Sequence, residues 1–310
     1  MRILRRPLAL ALLPLSALIV AAGYSLPVPA PFTQGVIITR VALPGNPYDK
    51  LLNKLDPTQG DLQGQMNRLA RSLTPAEQQQ LQSQASQSPS LTMAALLLPR
   101  KGTLYCRGQE VRATTDALTY HLENYFNGTK STGLLLLAAQ AAPERLAYTY
   151  DAATVKKSWQ TITITDADYT ARPTTETALV AGYPSQKTTY ILKPGTAPTA
   201  PAGSGGLPQQ PVAIDVWTSA QIPALLNFAH PVYVKEKRGI TKLVVYFDKE
   251  HKQQLLYEFA SVQVRAVTPQ ELQIKTPAQV LDYAKDELQI GMKSLAIMLG
   301  GGPGQSTSGE

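Results

Sequence analysis

Cysteine and histidine are nearly missing from this chain. There is one cysteine, Cys106, and there are three histidines, His121, His230 and His251, in 310 residues. A single cysteine excludes an internal disulfide, so an exported chain of this composition must hold together through its core. Alone in strand-like sequence, Cys106 reads as a small buried hydrophobe rather than a nucleophile. The histidines fall in three separate segments, with no H-E-x-x-H and no paired-cysteine spacing, so no zinc site is spelled out. G-x-S-x-G and G-x-x-x-x-G-K-[ST] are missing as well, and Gly203-Ser204-Gly205 sits in a proline- and glycine-rich run. Asp166 and Asp168 share a turn, Asp248 and His251 share another, and Asp282 and Asp286 fall on the polar side of an expected helix. Each pair reads as solvated surface. The expectation is a protein that is not an enzyme, with no cofactor and no metal ligand.

Concentrated charge of either sign is missing too. Three of the 29 lysines and arginines lie at the extreme N-terminus, leaving 26 against 22 acidic residues, about +4. The longest basic run, Lys235-Glu236-Lys237-Arg238, contains a glutamate. Nucleic-acid binding needs a concentrated patch, so no nucleic-acid partner is expected. The three N-terminal arginines, Arg2, Arg5 and Arg6, precede the apolar run Leu8–Ala22, which contains Pro14 and closes on Val20-Ala21-Ala22. That is the layout of a signal peptide over residues 1–22. The run is short for a membrane span, although an uncleaved anchor is the other reading. No cysteine follows it, which closes the lipid-anchored route. The expected location is the periplasm or the outer membrane, or outside the cell.

What the chain does have is β sequence. Gly35–Leu43 alternates β-branched and polar residues and ends at Pro44-Gly45-Asn46-Pro47. Strands are expected at Leu104–Arg107, Glu110–Thr115, Thr119–Asn127, Gly133–Ala139, Arg145–Asp151 and Lys157–Thr165. Their spacing of about a dozen residues argues for an antiparallel meander. Three further blocks follow: Thr175–Leu192, Val212–Ser219 and Gly239–Val264. In the last, a four-residue turn at Asp248-Lys249-Glu250-His251 would set Tyr246 opposite Gln253 and Val244 opposite Leu255. One face would then carry Val244, Tyr246, Leu255, Tyr257 and Phe259, and the other Leu243, Val245, Phe247, Leu256, Ala260 and Val262. Both are apolar, so each side of the sheet needs a cover.

Helical texture is confined to two places. Between residues 48 and 98, Asp61–Ser72 is amphipathic through Leu62, Met66 and Leu69, and Thr74-Pro75-Ala76-Glu77 is a capping box opening a second helix to about Ala85. A third piece, Ser90–Leu98, follows Pro89. At the C-terminus, Thr276-Pro277-Ala278-Gln279 predicts a helix over 277–299 with Leu281, Ala284, Leu288, Met292, Leu295 and Met298 or Leu299 on one stripe. Residues 193–211 are rich in proline, glycine and alanine and read as a disordered hairpin loop. Residues 300–310 read as a floppy tail. The expected organisation is one domain over 23–276, with the C-terminal helix packed on it. Many tyrosines and both tryptophans, Trp159 and Trp217, fall in strands. They either pack as ordinary strand residues or line a pocket.

The blocks Ala178–Leu192, Ile214–Ser219 and Gly239–Ile274, with Ala181-Gly182-Tyr183 before a strand, Val216-Trp217-Thr218 within one and the closing "TPQELQI", resemble the DUF4412 family of bacterial cell-envelope proteins. Gly102–Thr114, with Arg107-Gly108-Gln109 at its turn, is a further match. That family is itself similar in fold to the LolA/LolB lipoprotein carriers. At Ser185 this chain departs from the cysteine often found after Gly-Tyr-Pro. The resemblance implies a curved antiparallel sheet or half-barrel covered by helices. It also implies a pocket for an acyl chain or other apolar envelope ligand, lined by Tyr190, Trp217, Val244, Tyr246, Leu255, Tyr257 and Phe259. The alternative is an envelope interaction module with a filled core, taking other envelope proteins as partners. A monomer is expected.

Overall fold

The computed structural model describes residues 29–56, 61–87, 92, 97–151, 162–196, 210–230 and 232–300. The expected signal peptide, Trp159, most of the 193–211 loop and of the Ser90–Leu98 helix, and the tail beyond Gly300 lie outside the described residues.

The fold is mainly β. Its strands are β1 (Gln34–Ala42), β2 (Lys101–Arg107), β3 (Glu110–Asp116), β4 (Tyr120–Asn127), β5 (Thr132–Ala139), β6 (Arg145–Asp151), β7 (Ile162–Ile164), β8 (Tyr169–Val180), β9 (Tyr183–Leu192), β10 (Ala213–Ser219), β11 (Val232–Val234), β12 (Gly239–Tyr246), β13 (Gln254–Gln263) and β14 (Leu281–Asp282). Twelve of them form one curved, unclosed sheet in the order β14-β6-β5-β4-β3-β2-β1-β13-β12-β10-β9-β8. β1 is the shared strand between two antiparallel arms, and only β14 runs parallel to its neighbour, β6. Register shifts at Ile38/Thr39, Trp217/Thr218 and Pro173/Thr177 mark bulges, the local device by which a strand bends and a sheet curls. The hairpin from β8 to β9 turns through Ala181 and Gly182, both at positive φ, +49° and +88°, the backbone twist a two-residue hairpin requires.

The meander stops one strand earlier than its spacing predicts. Ile162–Ile164 leaves the large sheet and pairs in parallel with Val232–Val234 as a separate two-stranded sheet. The closing hairpin is also corrected by one residue. Tyr246 pairs with Gln254, Val245 with Leu255 and Leu243 with Tyr257. The loop is longer because Asp248 Oδ1 accepts from the Gln253 backbone N–H at 2.9 Å, holding Gln253 at the loop's end with His251 at φ +56°. A one-residue shift in pairing exchanges the facing side chains. Leu243, Val245, Phe247, Leu255, Tyr257 and Phe259 therefore share one buried face, while Val244, Tyr246 and Leu256 lie on the other, half-exposed. The two faces are not equally apolar.

The core face carries three covers. Over the β1–β3 side and the β8–β13 arm, Ile164, Leu226, Val232 and Val234 from the β7–β11 layer bury with Ile37, Leu104, Ile214, Leu243, Val245, Leu255 and Tyr257. Three helices lie between β1 and β2: α1 (Pro47–Leu52), α2 (Leu62–Ser72) and α3 (Pro75–Gln87). Leu52 and Leu55 join the same core, with Met66 and Leu69 packed at its margin. Thr74 and Glu77 make the expected reciprocal cap, Glu77 N–H to Thr74 Oγ1 at 3.3 Å and Thr74 N–H to Glu77 Oε2 at 2.8 Å.

The outer face is crossed by the chain leaving β13. Val267 and Leu272 bury with Val36, and Ile38, Tyr105 and Tyr125 pack alongside. A capped turn at Thr268–Leu272 is fixed by Arg112, which donates to the Glu271 carbonyl at 3.0 Å and pairs with Glu123. Residues 276–280 are irregular, not the predicted first turn of a helix, because they must reach around β6 to form β14. The helix begins at Tyr283 and runs to Met298 as α4. Its N-cap is Asp282, whose carboxylate accepts from Ala284 N–H at 3.2 Å. Its buried side is Tyr283, Ile290 and Ile297, set against Leu135, Leu137, Leu146, Tyr148 and Tyr150 of β5 and β6. Of the expected stripe, Leu281 is buried on β14 and Met298 packs at the margin of this cluster, whereas Ala284, Leu288, Met292, Leu295 and Leu299 face solvent.

Candidate functional site

The seven expected ligand-facing residues do not form one surface. Tyr190, Leu255, Tyr257 and Phe259 lie on the core face, and Trp217, Val244 and Tyr246 on the outer face. Leu255, Tyr257 and Phe259 are only 0, 2 and 3% exposed, so no open space of ligand size touches them. They pack on the β7–β11 layer. The Tyr190 hydroxyl donates to Glu236 Oε1 at 2.7 Å, tying that layer down beyond β11. On the outer face, Trp217 lies between Lys187 and Lys242, whose ammonium groups stand 5.5 and 5.8 Å from its ring. Asp215 there accepts from Thr189 at 2.6 Å and Tyr246 at 3.2 Å, and Tyr246 stacks on His251 at 4.0 Å. Burial, with Asp215 adding to it, pushes the Tyr246 hydroxyl up to about 12. This is a satisfied polar surface.

The core face is less sealed where its covers meet. β4 presents Leu122, Asn124 and Phe126 on that face, and the 3-10 turn Ala224–Ala229 brings Leu225 and Phe228 to it. The Phe126 ring is 5.6 Å from Phe228 and stacks at 6.5 Å on Tyr150. Tyr150 in turn donates its hydroxyl to Asn124 Oδ1 at 2.5 Å. Gly133 makes this arrangement possible, since a Cβ there would overlap the Tyr150 ring. Leu122, Phe126, Leu225 and Phe228 stay partly exposed between two fully buried clusters. The strip is apolar and aromatic, with one neutral hydrogen-bonded pair in its floor. It can hold an apolar group by contact.

Beside it lies an unusual pair. His230 ends the 3-10 turn with its ring centroid 5.7 Å from that of Tyr257. Both are buried, and among the described residues neither His230 ring nitrogen nor the Tyr257 hydroxyl has a hydrogen-bond partner. The backbone of Val232 opposes burial in its effect on the His230 imidazole, although the two do not meet in strict hydrogen-bond geometry. Burial pushes the imidazole down to about 4 and the phenol up. No charged side chain is among the causes for either group, so both are neutral.

Cys106 is buried, its thiol pushed up to about 11, which suits a core residue and not a nucleophile. Among the described residues, no group of three or more His, Cys, Asp or Glu could hold a metal ion, and no helix is long and apolar enough to cross a membrane. Sequence reasoning missed Leu122, Asn124, Phe126, Leu225, Phe228 and His230 as a group, because they come from segments about a hundred residues apart with no shared pattern. No family model and no curated protein matches the chain.

Proposed function

We propose that this protein binds an apolar ligand of the acyl-chain class without catalysis, in the exported setting expected from its N-terminus. The observation that carries this reading is the strip of Leu122, Phe126, Leu225 and Phe228, partly exposed beside two buried clusters of the core face. Neighbouring apolar side chains left partly exposed, with no charge among them, favour contact with another apolar surface over contact with water. The resemblance to the lipoprotein carriers points the same way.

A second reading has its own support. The near-complete burial of Leu255, Tyr257 and Phe259 favours an envelope interaction module whose interior is simply core. Native mass spectrometry of the protein from the envelope fraction, with titration by the neutral dye N-phenyl-1-naphthylamine, separates the two. A co-purifying acyl compound and saturable dye binding that Phe228→Ser removes support the ligand-binding reading. Ligand-free protein with no saturable binding supports the module.

A further inference from the structure

We propose that α4 is a docking surface for a second copy of this chain: two copies pair their C-terminal helices antiparallel about a twofold axis, along Leu288, Met292, Leu295 and Leu299. The four are 81, 67, 49 and 52% exposed, and all lie beyond Asp286, the irregular point of the helix. Their spacing is four, three and four residues. That is the narrow a/d seam through which one helix packs on another. On the heptad that places Leu288 and Leu295 at d and Met292 and Leu299 at a, Ile290 and Ile297 fall at f, on the far side of the helix. Those two are the buried residues that hold α4 on β5 and β6. One apolar side of the helix is thus taken by its own sheet, and the other is bare.

The seam is complementary to itself. In an antiparallel pair centred between Met292 and Leu295, Leu288 meets Leu299 of the second copy and Met292 meets its Leu295, so each layer holds two large apolar side chains. Gly291 borders the seam, and nothing stands within 4 Å of where its Cβ would be. Packing within one copy does not call for this glycine, which weakens the helix relative to alanine. A second backbone passing close beside it does. Gln289 and Ala296, which also border the seam, are uncharged, so pairing sets no like charges together. A membrane would instead favour a rim of lysine and arginine, and on α4 Lys285 and Lys293 are matched by Asp286 and Glu287. The four side chains leave on the order of 500 Å² of apolar surface in water, within the range of patches that mark interaction sites. Two such patches face to face bury about 1,000 Å², where specific interfaces begin. That size fits a concentration-dependent dimer.

Sedimentation equilibrium of the purified protein, from micromolar to near-millimolar concentration, tests the pairing. The mass should rise from one chain towards two. Met292→Lys with Leu295→Gln should weaken association at least tenfold and leave the melting temperature in dilute solution unchanged. Introduced cysteines report the geometry, because Cys106 is fully buried. On oxidation, Leu288→Cys mixed with Leu299→Cys should form a disulfide-linked dimer. Leu288→Cys alone should not, since its two copies would stand roughly 16 Å apart along the seam. A mass of one chain at every concentration overturns the proposal. Association that survives the double substitution places the interface elsewhere and overturns it too. If Leu288→Cys alone cross-links as readily as the mixture, the antiparallel pairing is wrong. Cosedimentation with phosphatidylglycerol vesicles that the double substitution abolishes, without a dimer in solution, would mean that a membrane covers the seam instead.

Discussion

Val245 of β12 stands opposite Leu255 of β13, and both side chains are completely buried on the core face. Their neighbours Val244 and Leu256 also face each other, but on the half-exposed outer side. The cost of truncation should therefore alternate along the strand. Leu255→Ala should destabilise by about 2–5 kcal/mol, the range for emptying a packed site, and Leu256→Ala by about 1 kcal/mol or less. Urea unfolding of the two variants checks this. Equal losses would mean that the hairpin pairs in the other register.

That hairpin shows where sequence reading succeeds and where it stops. The alternation in Leu243–Phe247 and in Leu255–Phe259 makes both strands legible, and Thr74-Pro75-Ala76-Glu77 marks the start of α3 because a cap is a local contract between four residues. Register depends instead on the loop, where His251 takes a positive φ that a histidine does not announce. α4 poses a similar ambiguity. Tyr283, Ile290 and Ile297 recur on one side, and Leu288, Met292, Leu295 and Leu299 on the other. Periodicity offers both stripes, and only the β6 tyrosines decide between them. Tyr148 meets Tyr283 at 5.7 Å and fixes which side turns inward. The strip and His230 depend wholly on the tertiary fold, so no spacing could reveal them.

Two histidines should shape the pH dependence of stability in opposite directions. His230 is held neutral, its pKa lowered by burial from 6.5 to about 4. Above about pH 6.5 it is neutral folded or unfolded, and its contribution is complete. As pH falls from there towards 4 the unfolded chain takes up the proton first, and stability declines by about 3 kcal/mol. His121 is raised to about 9, first by its hydrogen bond to Asp116 at 2.7 Å and then by Glu123. Its stabilisation is fully present below pH 6.5 and is lost as pH rises through 9. Its partial exposure keeps this to about 1–2 kcal/mol. Thermal melts across pH should show His230→Leu flattening the acid limb and His121→Gln flattening the alkaline limb. An acid limb unchanged in His230→Leu would show that His230 is not held neutral by the fold.

The last expectation concerns α4, whose two apolar sides have unequal roles. Ile290 and Ile297 are almost fully buried against β5 and β6, whereas Leu288 and Met292 are 81 and 67% exposed. Helix and sheet are further joined where Thr119 donates its hydroxyl to the Met298 carbonyl at 2.5 Å. A helix held along one side only should tolerate change on the other. Leu288→Lys with Met292→Lys and Leu295→Gln should shift the unfolding free energy by no more than about 0.5 kcal/mol, as surface substitutions do. The same changes should make the protein less prone to associate, because a bare apolar stripe is adhesive. Ile290→Ala should instead cost about 2–5 kcal/mol. Chemical unfolding and light scattering of both variants measure the contrast. A large stability loss in the triple variant would mean that the leucine stripe, not the isoleucine pair, is the side that docks.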